Sequence, residues 1–188
     1  MRRKIKDILG LVILLLAVTS SNIVFGQEFQ FEEVVKLDST VTKDELFNRA
    51  RSWFGKTYNN EKYVIATEDR STGEISGNGS MNYNTRKLYF GVGAVIGDVD
   101  YKINIYVKDG RYKYVFHSFR HTGSYVGGSS PISYGMLTKD SEVPKPSRGG
   151  ANSKAWNDIR EQTEIKIKKT IEGLKSSMSI KYEGSGEW

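Results

Sequence analysis

The spacing of apolar residues changes along the chain, and each change predicts an element. Phe29, Phe31, Val35 and Leu37 share one parity, which reads as a strand over 29–37 broken by Asp38-Ser39-Thr40. The period then becomes helical. Leu46, Phe47, Ala50, Trp53, Phe54 and Tyr58 form a wide apolar stripe over a helix from Thr42 to Tyr58. Thr42 and Glu45 fit a capping box, in which hydroxyl and carboxylate each satisfy an orphan N–H, and Val41 and Leu46 stand at the hydrophobic-staple positions. Gly55 weakens the last turn and Asn59-Asn60 ends it.

Alternation then returns. Strands are predicted over 63–68 and 74–83, joined by Asp69-Arg70-Ser71-Thr72-Gly73. Ile75, Gly77, Gly79, Met81 and Tyr83 share a face, and the two glycines predict a neighbour packed closely against it. Residues 88–96 suit either a further strand piece or a close-packed connection.

The clearest element is a hairpin over 98–121, turned by Asp109-Gly110. A two-residue turn makes the numbers of opposed residues add up to 219. Val107 then faces Tyr112, Ile105 faces Tyr114 and Ile103 faces Phe116, all on one apolar face. Lys102, Asn104, Tyr106, Lys108, Arg111, Lys113 and His117 hold the other face, which is wet. A sheet with one wet side needs helices on its dry side.

Residues 123–150 are rich in Gly, Ser and Pro and read as a loop of about 28 residues, longer than ordinary connections. A final helix spans Asn152 to Met178, with Trp156, Ile159, Thr163, Ile167, Ile171, Leu174 and Met178 on one face and a Glu164–Lys168 pair on the other. Residues 183–188 read as a frayed tail. The whole is an α+β domain over 27–182, in the order β-α-β-β-β-β-α: an antiparallel sheet with two helices packed on one face. That order, the segments 31–37 and 42–58, the stretch YKINIYVKDGRYKYVFHSF and the Trp156 helix together resemble the bacterial DUF4468 family. The resemblance covers about residues 29–122, and the last helix more loosely. It implies a TBP-like fold, a curved antiparallel sheet with helices on one face. The family has no established activity or catalytic residues, so the resemblance carries no site over, and the fold label does not carry DNA binding with it.

The N-terminus is a separate module. Arg2, Arg3, Lys4 and Lys6 precede an apolar run from Ile8 to Val18, a polar stretch, and Val24-Phe25-Gly26. This is the layout of a secretory signal peptide, with cleavage expected between Gly26 and Gln27. The run of about 11 residues is short of the roughly 20 a spanning helix needs. No integral span is therefore expected after cleavage, and the product is expected in the periplasm or outside the cell. The chain has no cysteine, which excludes a lipoprotein anchor, disulfides and thiolate chemistry. The full chain has 28 Lys+Arg against 22 Asp+Glu; the signal holds four of the basic and one of the acidic residues, which leaves the mature chain at +3. Nucleic acid is accordingly not an expected partner.

Candidate chemistry is sparse. His117 and His121 are the only histidines. On a regular strand they share a face about 13 Å apart at roughly 3.3 Å per residue, too far to share a metal ion. The 219 register sets His121 against Asp98. With Ser124 these are the only coherent residues for a hydrolase, and an exposed polar pair is the plainer reading. The glycines at 91, 93 and 97 lack the spacing and following helix of a phosphate loop. Asp38, Asp44 and Glu45 suit a helix start better than calcium. No catalytic, cofactor or metal residue is assigned. The strip Lys102, Tyr106, Lys108, Arg111 and Lys113 is the candidate partner-binding surface. The expected function is a non-catalytic envelope module that binds a protein or an anionic glycan. The alternative is an apolar-ligand carrier lined by Trp53, Phe54, Ile103, Tyr114 and Trp156.

Overall fold

The computed structural model describes residues 27–58, 64–89, 91–125, 128, 130–140, 142–147 and 152–181. The expected signal segment 1–26 and the tail 183–188 lie outside them. Strands β1 (Phe31–Lys36), β2 (Ile65–Asp69), β3 (Glu74–Tyr83), β4 (Gly97–Lys108), β5 (Arg111–Gly123) and β6 (Gly135–Met136) form one open antiparallel sheet. The order is β1-β5-β4-β3-β2, with β6 also on β5. Both β1 and β6 border the same edge of β5: β1 pairs with residues 111–116, and β6 with 120–121.

Helices α1 (Lys43–Thr57) and α3 (Ser153–Ser179) cover one face; α2 is a four-residue helix, Val92–Val95. The hydroxyl half of the capping box forms, while the Glu45 carboxylate accepts from Arg49 Nε at 2.9 Å. Thr42 accepts the Glu45 amide at 3.2 Å, and Asn152 accepts the amides of Lys154 and Ala155. The hairpin turn also caps α1, since the Lys43 amide donates to the Asp109 carboxylate at 2.6 Å. Apart from half-buried Tyr58, the expected stripes on both long helices are buried, with Trp53, Phe54, Trp156 and Leu174 at or near zero exposure. Each such large apolar side chain contributes about 1.5–3 kcal/mol relative to leaving it in water.

The glycine pair on β3 is explained by what lies over it. A Cβ on Gly77 would sit 2.7 Å from the Phe54 ring, and one on Gly79 would sit 2.3 Å from the Tyr101 ring. The missing side chains let α1 and β4 close onto β3.

The structure departs from the sequence-based expectation in three places. Residues 88–96 hold α2, neither a strand nor a plain connection. The loop 123–150 contains β6, and its segment 132–139 is sewn to the body by main-chain bonds from Ile132 to Ala94, Leu137 to Phe119 and Lys139 to Gln27. Third, the hairpin register is not uniform. It follows the 219 rule from Lys108↔Arg111 to Lys102↔His117, then slips by one residue, so that Val99 opposes His121 and Asp98 opposes Thr122. Ser118 is the extra residue, with φ at 57°, the signature of a β-bulge. Its amide donates to the Glu28 carboxylate at 3.2 Å. Phe119 and His121 therefore turn inward, where regular alternation would have turned them to the wet face.

Candidate functional site

Strand register assembles the wet face as a grid. Beside the turn, Lys108, Arg111 and Lys36 stand in one row across β4, β5 and β1. The next row is Glu74, Tyr106, Lys113 and Val34; the third is Ser76, Asn104, Val115 and Glu32; the fourth is Asn78, Lys102 and His117. Rows are about 7 Å apart, two residues of strand rise. Tyr106, Lys108, Arg111 and Lys113 from the expected strip line a groove of about 440 Å³ with Val34 and Tyr112. Lys102 lies farther along β4 and lines a separate, larger groove with Asp100 and Arg120. Lys36 and Val34 are additions that the sequence did not single out, because only the pairing of β1 with β5 carries them there.

Lys113 is held by Glu32 at 2.9 Å. Among the described residues, no carboxylate lies within ion-pair distance of Lys36, Lys102, Lys108 or Arg111. Val34 is 55 % and Tyr106 39 % exposed, so the groove floor has an apolar component among its cations. Burial, and then the Glu74 carboxylate, push the Tyr106 hydroxyl above its ordinary range and keep it a neutral donor. His117 is anchored rather than free: its Nε2 lies 2.7 Å from Asn104 Oδ1 and its Nδ1 2.9 Å from Ser118 Oγ.

The residues considered for hydrolysis do not assemble. His121 is fully buried; its Nε2 donates to the Val95 carbonyl at 2.8 Å and its Nδ1 accepts the Tyr134 amide at 3.2 Å. Both nitrogens serve the main chain, and burial lowers the pKa, so the ring is a neutral brace. Asp98 lies on the opposite face, across from Thr122. The Ser124 amide is bound to the Ile96 carbonyl. Among the described residues no group of three His, Asp or Glu side chains could hold a metal ion, and no helix is long and apolar enough to cross a membrane. Trp53, Phe54, Ile103, Tyr114 and Trp156, the expected carrier lining, all sit in the buried core cluster.

One polar cluster escaped the sequence reading. Asp158 on α3 is 1 % exposed, accepts the Tyr83 hydroxyl at 2.6 Å, and lies 2.9 Å from Lys87 Nζ. Burial would raise its pKa, but the bonds from Tyr83 and Lys87 outweigh that and hold it low. The bonds of Lys87 to Glu161, at 2.6 Å, and then to Asp158 raise its pKa, which keeps it charged and a poor nucleophile. The cluster ties the segment after β3 to α3. Its signal was present in the sequence: an acid flanked by Trp156 and Ile159 on an apolar stripe.

Comparison with known proteins agrees with this architecture. Residues 31–122 match the family model described as a domain of unknown function, DUF4468, with TBP-like fold. A TBP-like protein from Parabacteroides distasonis ATCC 8503 superposes with a TM-score of 0.55 at 13 % identity, over 79 % of this chain and 93 % of that one. A DUF4468 family protein from Bacteroides ovatus ATCC 8483 gives 0.54 at 13 % identity, over 84 % and 90 %. At that identity the likeness establishes the fold alone. No curated protein matches the chain.

Proposed function

Residues 31–122 belong to the DUF4468 family, whose description names a fold and no activity, and on that premise we propose that the chain is a non-catalytic binding module of the cell envelope that docks an acidic partner on the wet face of its sheet. The observation that carries this reading is the hairpin-end groove. Lys108 and Arg111 border it with no acidic partner among the described residues, beside exposed Val34 and Tyr106. Unneutralised cations on rigid strands are costly in mutual repulsion, and an anionic partner relieves that repulsion. The expected signal segment supplies the location. Cleavage after Gly26 delivers the mature chain to the periplasm or outside, where acidic glycans and acidic protein surfaces are available and nucleic acid is not.

The test is retention of envelope extract on the immobilised mature protein. Acidic components should be held at low ionic strength, released as salt screens the contact, and not held by a Lys108→Glu/Arg111→Glu variant. Identical retention by the two proteins would remove the groove from the reading.

A further inference from the structure

We infer that the hairpin-end groove is a subsite for an anionic oligosaccharide, with Arg111 and Lys108 binding its acid group and Tyr106 lying against a sugar ring. This deepens the binding-module reading and rests on it.

Charge comes first. Lys36, Lys108, Arg111 and Lys113 occupy the two rows nearest the turn, and only Lys113 has its carboxylate, Glu32. Arg111 offers the forked donor geometry that matches a carboxylate or a sulfate in two parallel bonds. The field is bounded. Glu74 closes the β3 side of the Tyr106 row, and Asp98 and Asp100 occupy the far end of β4 on the same face. A polyanion is therefore favoured from the turn as far as Lys102; beyond it Arg120 offsets Asp100, and Asp98 opposes the neutral Thr122. Lys108 to Lys102 is six residues, about 20 Å of strand. That is a short oligomer's length along one track.

Composition then chooses among anions. The rows between the cations carry neutral hydrogen-bonding groups, Ser76, Asn78 and Asn104. Asn104 is held by His117 through its carbonyl and bonded to the Tyr106 hydroxyl through its amide, which fixes its place between the cations. Sugar hydroxyls need such donors and acceptors; a simple inorganic anion does not. An acidic protein fits less well. Interface cores are depleted of Lys and Glu, whereas this groove sets Lys108, Arg111 and Lys113 around Val34 and Tyr106. A single-stranded nucleic acid fits less well too, since its platforms present successive aromatic rings to successive bases, and Tyr106 is the one exposed aromatic side chain of these rows among the described residues. A tyrosine that combines an apolar ring with a polar tip suits a sugar, which is apolar on its faces and polar at its rim.

The experiment is calorimetric titration of the mature protein with four probes: a tetragalacturonate, a neutral tetragalactose, a tetraglutamate and a short oligothymidylate. The expected result is binding of the tetragalacturonate, at least tenfold weaker binding of the other three, a loss of at least tenfold in Arg111→Glu, and a loss of at least fivefold in Tyr106→Ala. Circular dichroism of both variants should match the parent. If the tetraglutamate or the oligothymidylate binds as tightly as the acidic sugar and Tyr106→Ala changes nothing, the saccharide assignment is overturned while the acidic-partner reading stands. If the neutral sugar binds as well as the acidic one, charge is irrelevant and both fall. If no probe binds, the saccharide assignment is lost, and extract retention by the Lys108→Glu/Arg111→Glu variant then decides the broader reading separately.

Discussion

The two halves of the β4–β5 hairpin obey different rules, and the difference lies in one residue. From the turn to His117 the ladder is regular, the apolar side chains face the helices, and the cations and Tyr106 face solvent. Past Ser118 the parity of β5 is reversed. His121 goes inside, where it braces α2 through Val95 and the β6 segment through Tyr134. One half exposes its cations on a regular lattice; the other turns His121 inward to hold loops to the sheet while Asp100 and Arg120 stay exposed. The comparison teaches that a residue's face must be read from strand register, because a single inserted residue moves every later side chain to the other side.

The largest expected effect tests that contrast directly. His121→Ala leaves the Val95 carbonyl and the Tyr134 amide unpaired around a cavity, so it should cost about 4 kcal/mol in urea unfolding. His117→Ala, four residues earlier on the wet face, should cost less than about 1 kcal/mol. Equal losses would break the comparison.

Next in size is Gly79→Ala. The new methyl meets the Tyr101 ring beside the bulge, and overpacking of this kind costs about 1–3 kcal/mol. Ser76→Ala, on the wet face of the same strand, should stay within about 0.5 kcal/mol by the same measurement.

A pH series sharpens the contrast further. Burial lowers the folded-state pKa of His121 below 6.5, so the unfolded chain binds the proton first. The contribution of His121 is then full above about pH 6.5, falls as pH drops toward the lowered folded value, and is constant below it. The slope is at most about 1.4 kcal/mol per pH unit. His121→Gln should lose that slope. A slope that survives in His121→Gln assigns the effect to another group.

The smallest effect on stability is expected at the turn end. Lys108→Glu with Arg111→Glu should leave the unfolding midpoint within about 0.5 kcal/mol of the parent while abolishing anion binding. A large loss of stability there would mean that the cations serve the fold.

Much of this was legible in the sequence because it is local. The capping box at Thr42, the Asp109-Gly110 turn, the apolar stripes on α1 and α3 and the glycine pair under Phe54 and Tyr101 are all fixed by residues a few positions apart or by period. The strip from Lys102 to Lys113 was also readable, since it needs only two-residue alternation. Placing Lys36 and Val34 beside it required β1 to pair with β5, a contact across about 80 residues of chain. The bulge leaves a trace in the sequence: Phe116 and Phe119 are three apart where strict alternation needs two.

The sequence by itself determined the two long helices and the strands β1 to β5, the dry and wet parities of the hairpin near its turn, and, through its first 26 residues, the expectation of export. Periodicity and end-capping are properties of neighbouring residues, so no tertiary contact is needed to read them. The tertiary structure decided the fate of His121, the conversion of part of the 123–150 loop into an edge strand, and the burial of Asp158 beneath Tyr83 and Lys87. Each of these depends on a polar group finding a partner far along the chain. A buried donor or acceptor is costly until it is paired, so the pairing selects the conformation only once the distant segments have met.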